Sequence, residues 1–215
     1  MVKIPKLTAE GSNVNRKRRV PGVDFLDEEY RMLIAGPSGS GKTNTLMYML
    51  REPLVIYDQI FLYTPNIHQE LIQDLQKIMH RHSQKLGYEV LHVMNPDEIL
   101  DTTEYPRENR KVVIFDDLMA ASNDVQKKIL KHFIDGRHHL ISPVYLSQSY
   151  HKTPVNIRLN CSHLIVYKPV TTCHRKLIAR ENSFEPDLFS KLKPFDFLFL
   201  DKIKETCMKN FNEKI

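Results

Sequence analysis

The chain is short of the residues that staple small or extracellular proteins. Among its 215 residues are three cysteines, Cys161, Cys173 and Cys207, with no C-x-x-C pair, so neither a disulfide framework nor a redox dithiol is indicated. A reducing compartment is expected. "NCSH" and "TCHRK" bring Cys161, His163, Cys173 and His174 near one another in sequence, and these are zinc-ligating residue types. Cys173 and His174 are adjacent, however, and structural zinc sites favour ligands spaced two or more apart. Buried thiols are therefore expected. Long apolar runs are also missing. "MVKIPKLTAE" holds no signal-peptide core, and "FDFLFL" at Phe195 to Leu200 falls far short of the roughly 20 residues that span a bilayer. A soluble, non-secreted protein without membrane contact is expected. There is no internal repeat, low-complexity tract or interdomain linker, and "DTTEYPRENR" at Asp101 to Arg110 reads as a polar loop.

An even spread of charge is lacking as well. The formal charge is +5, and residues 1 to 20 hold six Lys/Arg against Glu10 alone, leaving 25 basic and 25 acidic residues after them. The excess thus sits in an arm ending "NRKRR", suited to phosphate backbones or an import receptor, or equally to a solvated tail. With 41% hydrophobic residues, the rest is large enough to bury a core unaided. The expected organisation is a basic arm over 1–20 and one domain over 21–215.

What is present is a regular alternation. "RMLIAG", "QIFLYT", "YEVLHVM", "KVVIFDD", "SPVYLSQ" and "SHLIVYK" are near-continuous apolar runs, the pattern of parallel strands covered on both faces. Between them, "QELIQDLQKIMHRH" gathers Leu71, Leu75, Ile78 and Met79, and "DVQKKILKHFIDG" gathers Val125, Ile129, Phe133 and Ile134, each on one helical face. Asn123 or Asp124 is expected to cap the second helix and Gly136 to end it. Its Lys127, Lys128 and Lys131 read as a solvated face. Strands alternating with helices predict an α/β fold with a mostly parallel central sheet and helices on both faces.

"GPSGSGKT", Gly36 to Thr43, follows one such strand and opens a helix. In this loop Gly36, Pro37, Ser38, Gly39, Ser40 and Gly41 let successive backbone N–H groups point at phosphate oxygens. Lys42 neutralises the β and γ phosphates, Thr43 holds Mg²⁺, and Asn44 starts the helix beside them. "KVVIFDDL" delivers Asp116 at a strand's carboxyl end, where ligands of open α/β sheets bind, as a Mg²⁺ partner. Asp117 beside it can orient and deprotonate a water. "YLSQSY" presents Gln148 at the end of another strand, where a neutral amide can hydrogen-bond the γ-phosphate or the attacking water.

The ordered set "GPSGSGKT", "VVIFDD", "GRHHLISPVYLSQSY" and "PVNIRLNCSHLIVYK" resembles the poxvirus-type genome-packaging ATPases of the FtsK–HerA superfamily, over about Arg31 to Lys168. The resemblance implies a RecA-like P-loop core that binds ATP and Mg²⁺ and drives double-stranded DNA into a preformed capsid. It also implies capsid proteins as partners and a homo-oligomeric ring, a hexamer favoured and a pentamer as the alternative. The setting it implies is an infected cell, in a cytoplasmic viral factory, the nucleus or the virion. An arginine reaching the neighbour's ATP is implied too, with Arg137 and Arg158 the candidates. FtsK and HerA proteins commonly carry Glu where Asp117 stands, one carbon longer by about 1.5 Å. Two other readings remain open from the residues: an assembly or DNA-binding factor without translocation, and a small-molecule kinase.

Overall fold

The computed structural model describes residues 26, 29–51, 54–211 and 213–214; the basic arm over 1–20 lies outside them. In chain order the elements are β1 (Met32–Ala35), α1 (Lys42–Arg51), β2 (Gln59–Tyr63), α2 (Glu70–Leu86), β3 (Leu91–Met94), β4 (Lys111–Asp116), α3 (Asn123–Asp135), β5 (Ile141–Ser147), α4 (Val155–Asn160), β6 (His163–Tyr167), α5 (Thr172–Glu181), β7 (Phe197–Asp201), β8 (Thr206–Lys209) and β9 (Glu213–Lys214). They build one sheet in the order β3-β2-β4-β5-β1-β6-β7-β8-β9. From β3 to β6 all pairings are parallel, while β7, β8 and β9 are added antiparallel.

The near-continuous apolar runs become strands because both sheet faces are covered. Alternate residues feed two cores: Met32, Ile34, Ile60 and Ile114 join Leu46 of α1 and Leu75 of α2. Leu33, Ala35, Tyr63 and Phe115 join Ile129 of α3 and Ile178 of α5. Helices therefore lie on both faces, as the sequence pattern predicts.

Some local expectations are corrected. The inward stripe of α2 is Ile72, Leu75 and Met79, with Leu71 and Ile78 only half-buried at its flanks. Helix α3 is capped by Ser122, whose side chain accepts from the Val125 N–H, rather than by Asn123 or Asp124. Gly136 does end the α-helix and starts a 3-10 turn over Gly136–His139. Ile134, expected inside, is 54% exposed, and His132 is buried instead. That histidine is accommodated because both ring nitrogens are used. The Lys128 carbonyl 2.8 Å from Nδ1 can only accept, so Nδ1 carries the proton and Nε2 accepts from the Tyr105 hydroxyl at 3.1 Å. Burial pulls its pKa down to about 4, keeping it neutral.

The stretch read as a polar loop is accordingly a packed one. Tyr105 is buried, bonds Tyr63 at 3.0 Å and meets Phe61 edge-on. The lysines read as merely solvated tie this segment to α3: Lys128 Nζ donates to the Ile99 carbonyl and Lys131 pairs with Asp101. Lys127 makes only an exposed pair with Asp124.

Candidate nucleotide site

The site is made by strand order. β5 lies between β1 and β4, with Ala35 opposite Ser147 and Asp116 opposite Leu146. The three strands are parallel, so the loop after β1, the acids ending β4 and Gln148 after β5 all emerge at the same carboxyl edge.

Two glycines of the loop are required by geometry. A Cβ on Gly36 would come within 2.7 Å of Tyr167 Cβ and 2.8 Å of Ser40 Oγ, so any side chain there would push β6 away. Gly41 has φ +102, a region that L-residues rarely adopt. The chain turns on a Ser40 N–H to Pro37 carbonyl bond of 3.2 Å and enters α1 with Thr45 N–H donating to the Gly41 carbonyl at 2.9 Å. Lys42 folds back over the loop, its Nζ donating to the carbonyls of Gly36 at 2.8 Å and Pro37 at 2.9 Å. Burial lowers its pKa, and the charges of Asp116 and Asp117 oppose that shift.

A cleft of about 530 Å³ opens over this edge, and Ser38, Gly39, Lys42, Thr43, Asp116, Asp117 and Gln148 all line it. Burial and the neighbouring Asp117 charge push the Asp116 pKa up to about 6, with Lys42 pulling the other way. A half-buried carboxylate crowded by a second one is a strong host for a cation, because the ion relieves both the repulsion and the lost hydration. Asp117 takes φ 55, and Gln148 Nε2 donates to both of its carboxylate oxygens at 3.0 Å. The hydroxyl of Ser40 is buried with no hydrogen-bond partner among the described residues. Loop geometry, the Lys42 amine folded over the loop and hard oxygen donors on Thr43 and Asp116 fit a magnesium triphosphate.

Not every sequence candidate faces the cleft. Gly36, Pro37, Ser40 and Gly41 support the loop without lining that cleft, and Asn44 is exposed on α1. The wall formed by residues 65–69 was missed; its one sequence signal is its place directly after a strand of the parallel sheet.

The two arginines differ sharply. Arg137 is exposed in the 3-10 turn before β5, at the sheet edge opposite Gln148. Arg158 is buried in α4. Its Nη1 donates to the carbonyls of Tyr150, His151 and Thr153 at 3.3, 3.0 and 2.9 Å, and its Nη2 pairs with Glu181 Oε1 at 3.0 Å. The sequence offers Arg158 as a candidate trans finger; within this chain its guanidinium clamps the turn after β5, which it would have to leave to reach a neighbouring subunit. The cysteine expectation holds for Cys161, which is buried with its thiol pushed up to about 12 by desolvation, but Cys173 is exposed. Among the described residues no group of three or more His, Cys, Asp or Glu gathers as a metal site, and no helix is long and apolar enough to cross a membrane.

Comparison with known proteins places this geometry in context. The family model described as "Poxvirus A32 protein" matches residues 20–188. Among solved structures, B204, the DNA-packaging ATPase from Sulfolobus turreted icosahedral virus, is similar with 14% identity and TM-score 0.58, over 86% of this chain and 98% of that one. The genome packaging NTPase B204 from Sulfolobus turreted icosahedral virus 2, in complex with AMPPCP, gives 13% identity and TM-score 0.58 over 86% and 98% of the chains. ATPases 2 and 3 of EssC from Geobacillus thermodenitrificans give 14% identity and TM-score 0.51, over 81% of this chain and 38% of that one. These likenesses establish a shared P-loop α/β fold. A search of curated proteins found no match.

Proposed function

The chain belongs to the Poxvirus A32 protein family, and from that premise we propose that it is an ATPase that drives double-stranded DNA into a preformed viral capsid. The observation that carries this reading is the meeting of Lys42, Asp116, Asp117 and Gln148 in one cleft at the carboxyl edge of the sheet. Residues 21–215 form the ATPase domain, and the basic arm over 1–20 serves DNA or capsid protein. The setting is an infected cell or the virion.

The loop N–H groups and Lys42 bind the phosphates, the charge of Lys42 supplying what backbone dipoles cannot. Thr43 and Asp116 would hold Mg²⁺, directly or through water, and the ion would supply positive charge to the phosphates. Asp117 takes a proton from the attacking water as the new P–O bond forms and ADP leaves. The Gln148 amide donates to both carboxylate oxygens of Asp117, occupying acceptor sites that the attacking water must reach. Turning the amide toward the γ-phosphate releases the carboxylate, so base and substrate recognition are linked through one side chain. Lys42 covers one side of the phosphates; the exposed Arg137 of an adjacent subunit in a hexameric or pentameric ring supplies charge to the other.

The test is ATP turnover with and without double-stranded DNA, read against oligomeric state, with Lys42→Ala as the inactive control. Stimulation by DNA in the ring is expected. Turnover indifferent to DNA would leave an assembly factor, and turnover only with a small acceptor would leave a kinase.

A further inference from the structure

The phosphate end of the site is crowded with candidates, whereas the opposite end has drawn none. The cleft with Asp116, Asp117 and Gln148 lies on the β5 and β4 side of the loop. On the other side of β1 stand β6 and β7. β7 runs antiparallel, with Tyr167 at the end of β6 paired to Phe197 at the start of β7. That reversal brings the residues just before β7 to the same edge as the phosphate loop. Phe195 is among them.

Three observations make Phe195 unusual. Its side chain is 72% exposed although it is a large aromatic. Its backbone is held at φ +69, a conformation a bulky residue adopts only where its surroundings over-determine it. Finally, it stands beside the loop: a Cβ built on Gly41 would lie 3.8 Å from Phe195 Cδ1 and 3.5 Å from Tyr167 Oη. The turn that presents the ring is itself pinned. Asp196 accepts from the Lys193 N–H at 2.9 Å and from Asn210 Nδ2 at 2.6 Å, and it pairs with Lys209 at 3.1 Å. These bonds fix the neighbouring residue and leave the phenyl ring facing solvent at the start of α1.

We infer that Phe195 is the platform on which the nucleobase stacks. The inference rests on the nucleotide reading above: with the terminal phosphates directed toward Asp117 and Gln148, the sugar and base leave the loop past Gly41, toward β6 and β7. A π-face attracts any base and reads no hydrogen-bonding edge. Purines, having the larger face, bind more tightly than pyrimidines, and adenine is not separated from guanine by this contact.

The chain contains no tryptophan, so Phe195→Trp in the full chain places a single reporter at the platform. ATP and GTP, each with Mg²⁺, should quench its fluorescence. Inorganic triphosphate should not, yet it should reverse the quench by competing for the loop. By calorimetry, Phe195→Ala should weaken ATP binding by about 5- to 150-fold, the range of a lost base stack, while leaving the affinity for inorganic triphosphate unchanged. Equal loss for both ligands would make Phe195 a support of the loop and overturn the inference. So would an unchanged ATP affinity, or a Trp signal that answers double-stranded DNA or subunit association and not nucleotide. If neither ATP nor inorganic triphosphate binds the unaltered protein, the nucleotide reading itself falls and takes this inference with it.

Discussion

Asp116→Asn should make the nucleotide-free protein more stable while impairing its use of metal. The Asp116 pKa is raised from 3.8 to about 6, first by burial and then by the Asp117 charge, with Lys42 opposing. A carboxyl whose folded pKa exceeds its unfolded value binds its proton more tightly when folded. Stability therefore falls as pH rises from about 4 to about 6 and stays low above. At about 1.4 kcal/mol per pKa unit, the penalty at pH 8 is at most about 3 kcal/mol. Asparagine has nearly the same shape and no charge, so it should recover most of that. For a chain of this size each kcal/mol moves Tm by about 2–4 °C. The assay is denaturant unfolding of both proteins, free of nucleotide and metal, at pH 8 and pH 4. The variant should be the more stable at pH 8, and the difference should shrink to a small fraction of that at pH 4, where the folded carboxyl is neutral and the unfolded one is about half protonated. Nucleotide affinity of the variant should at the same time lose its dependence on Mg²⁺. A variant no more stable than the parent at pH 8, or a gain that persists undiminished at pH 4, would refute the account of a half-buried, crowded carboxylate awaiting a cation.

Asp117→Asn should bind ATP normally and lose about 10²- to 10⁴-fold in turnover, the range for removing a general base; wild-type turnover in a steady-state assay would remove Asp117 from that role. Arg158→Ala should cost about 3 kcal/mol in denaturant unfolding, because Glu181 and three carbonyls lose their donor. Arg158→Lys should not restore it, since one ammonium cannot reproduce the fork; unaltered stability with turnover lost only in the ring would return Arg158 to the position of a trans finger. Arg137→Ala should bind ATP normally yet lose about 10³-fold or more of its oligomer-dependent hydrolysis. Mixing it with Lys42→Ala subunits should restore some, because an intact loop then meets an intact arginine; turnover per subunit that stays constant on dilution to monomer would exclude a shared site.

The parts legible in the sequence were those encoded over a few neighbouring residues. "GPSGSGKT" shows itself because a strand, a glycine-rich turn and a helix follow within one stretch. The parallel strands were visible because strands covered on both faces must be apolar at nearly every position. Helix faces were less exact: the periodicity admitted Ile134 and overlooked His132, since a histidine is accepted inside α3 only where Tyr105, distant in sequence, completes its hydrogen bonds. The loop from Asp101 to Arg110 read as solvated for the same reason.

Composition and local pattern thus determined the fold class, the phosphate loop and the types of side chain available for chemistry, because those depend on short-range sterics and on which residues must leave water. Tertiary structure alone decided who meets whom. Strand order put β5 between β1 and β4 and so brought Gln148 to Asp117. Packing of α4 against the turn after β5 took Arg158 out of solvent, and the antiparallel return of β7 carried Phe195 to the loop. Each is a pairing between segments far apart in sequence, fixed by the shared burial of both sheet faces and not by any signal within the segment itself.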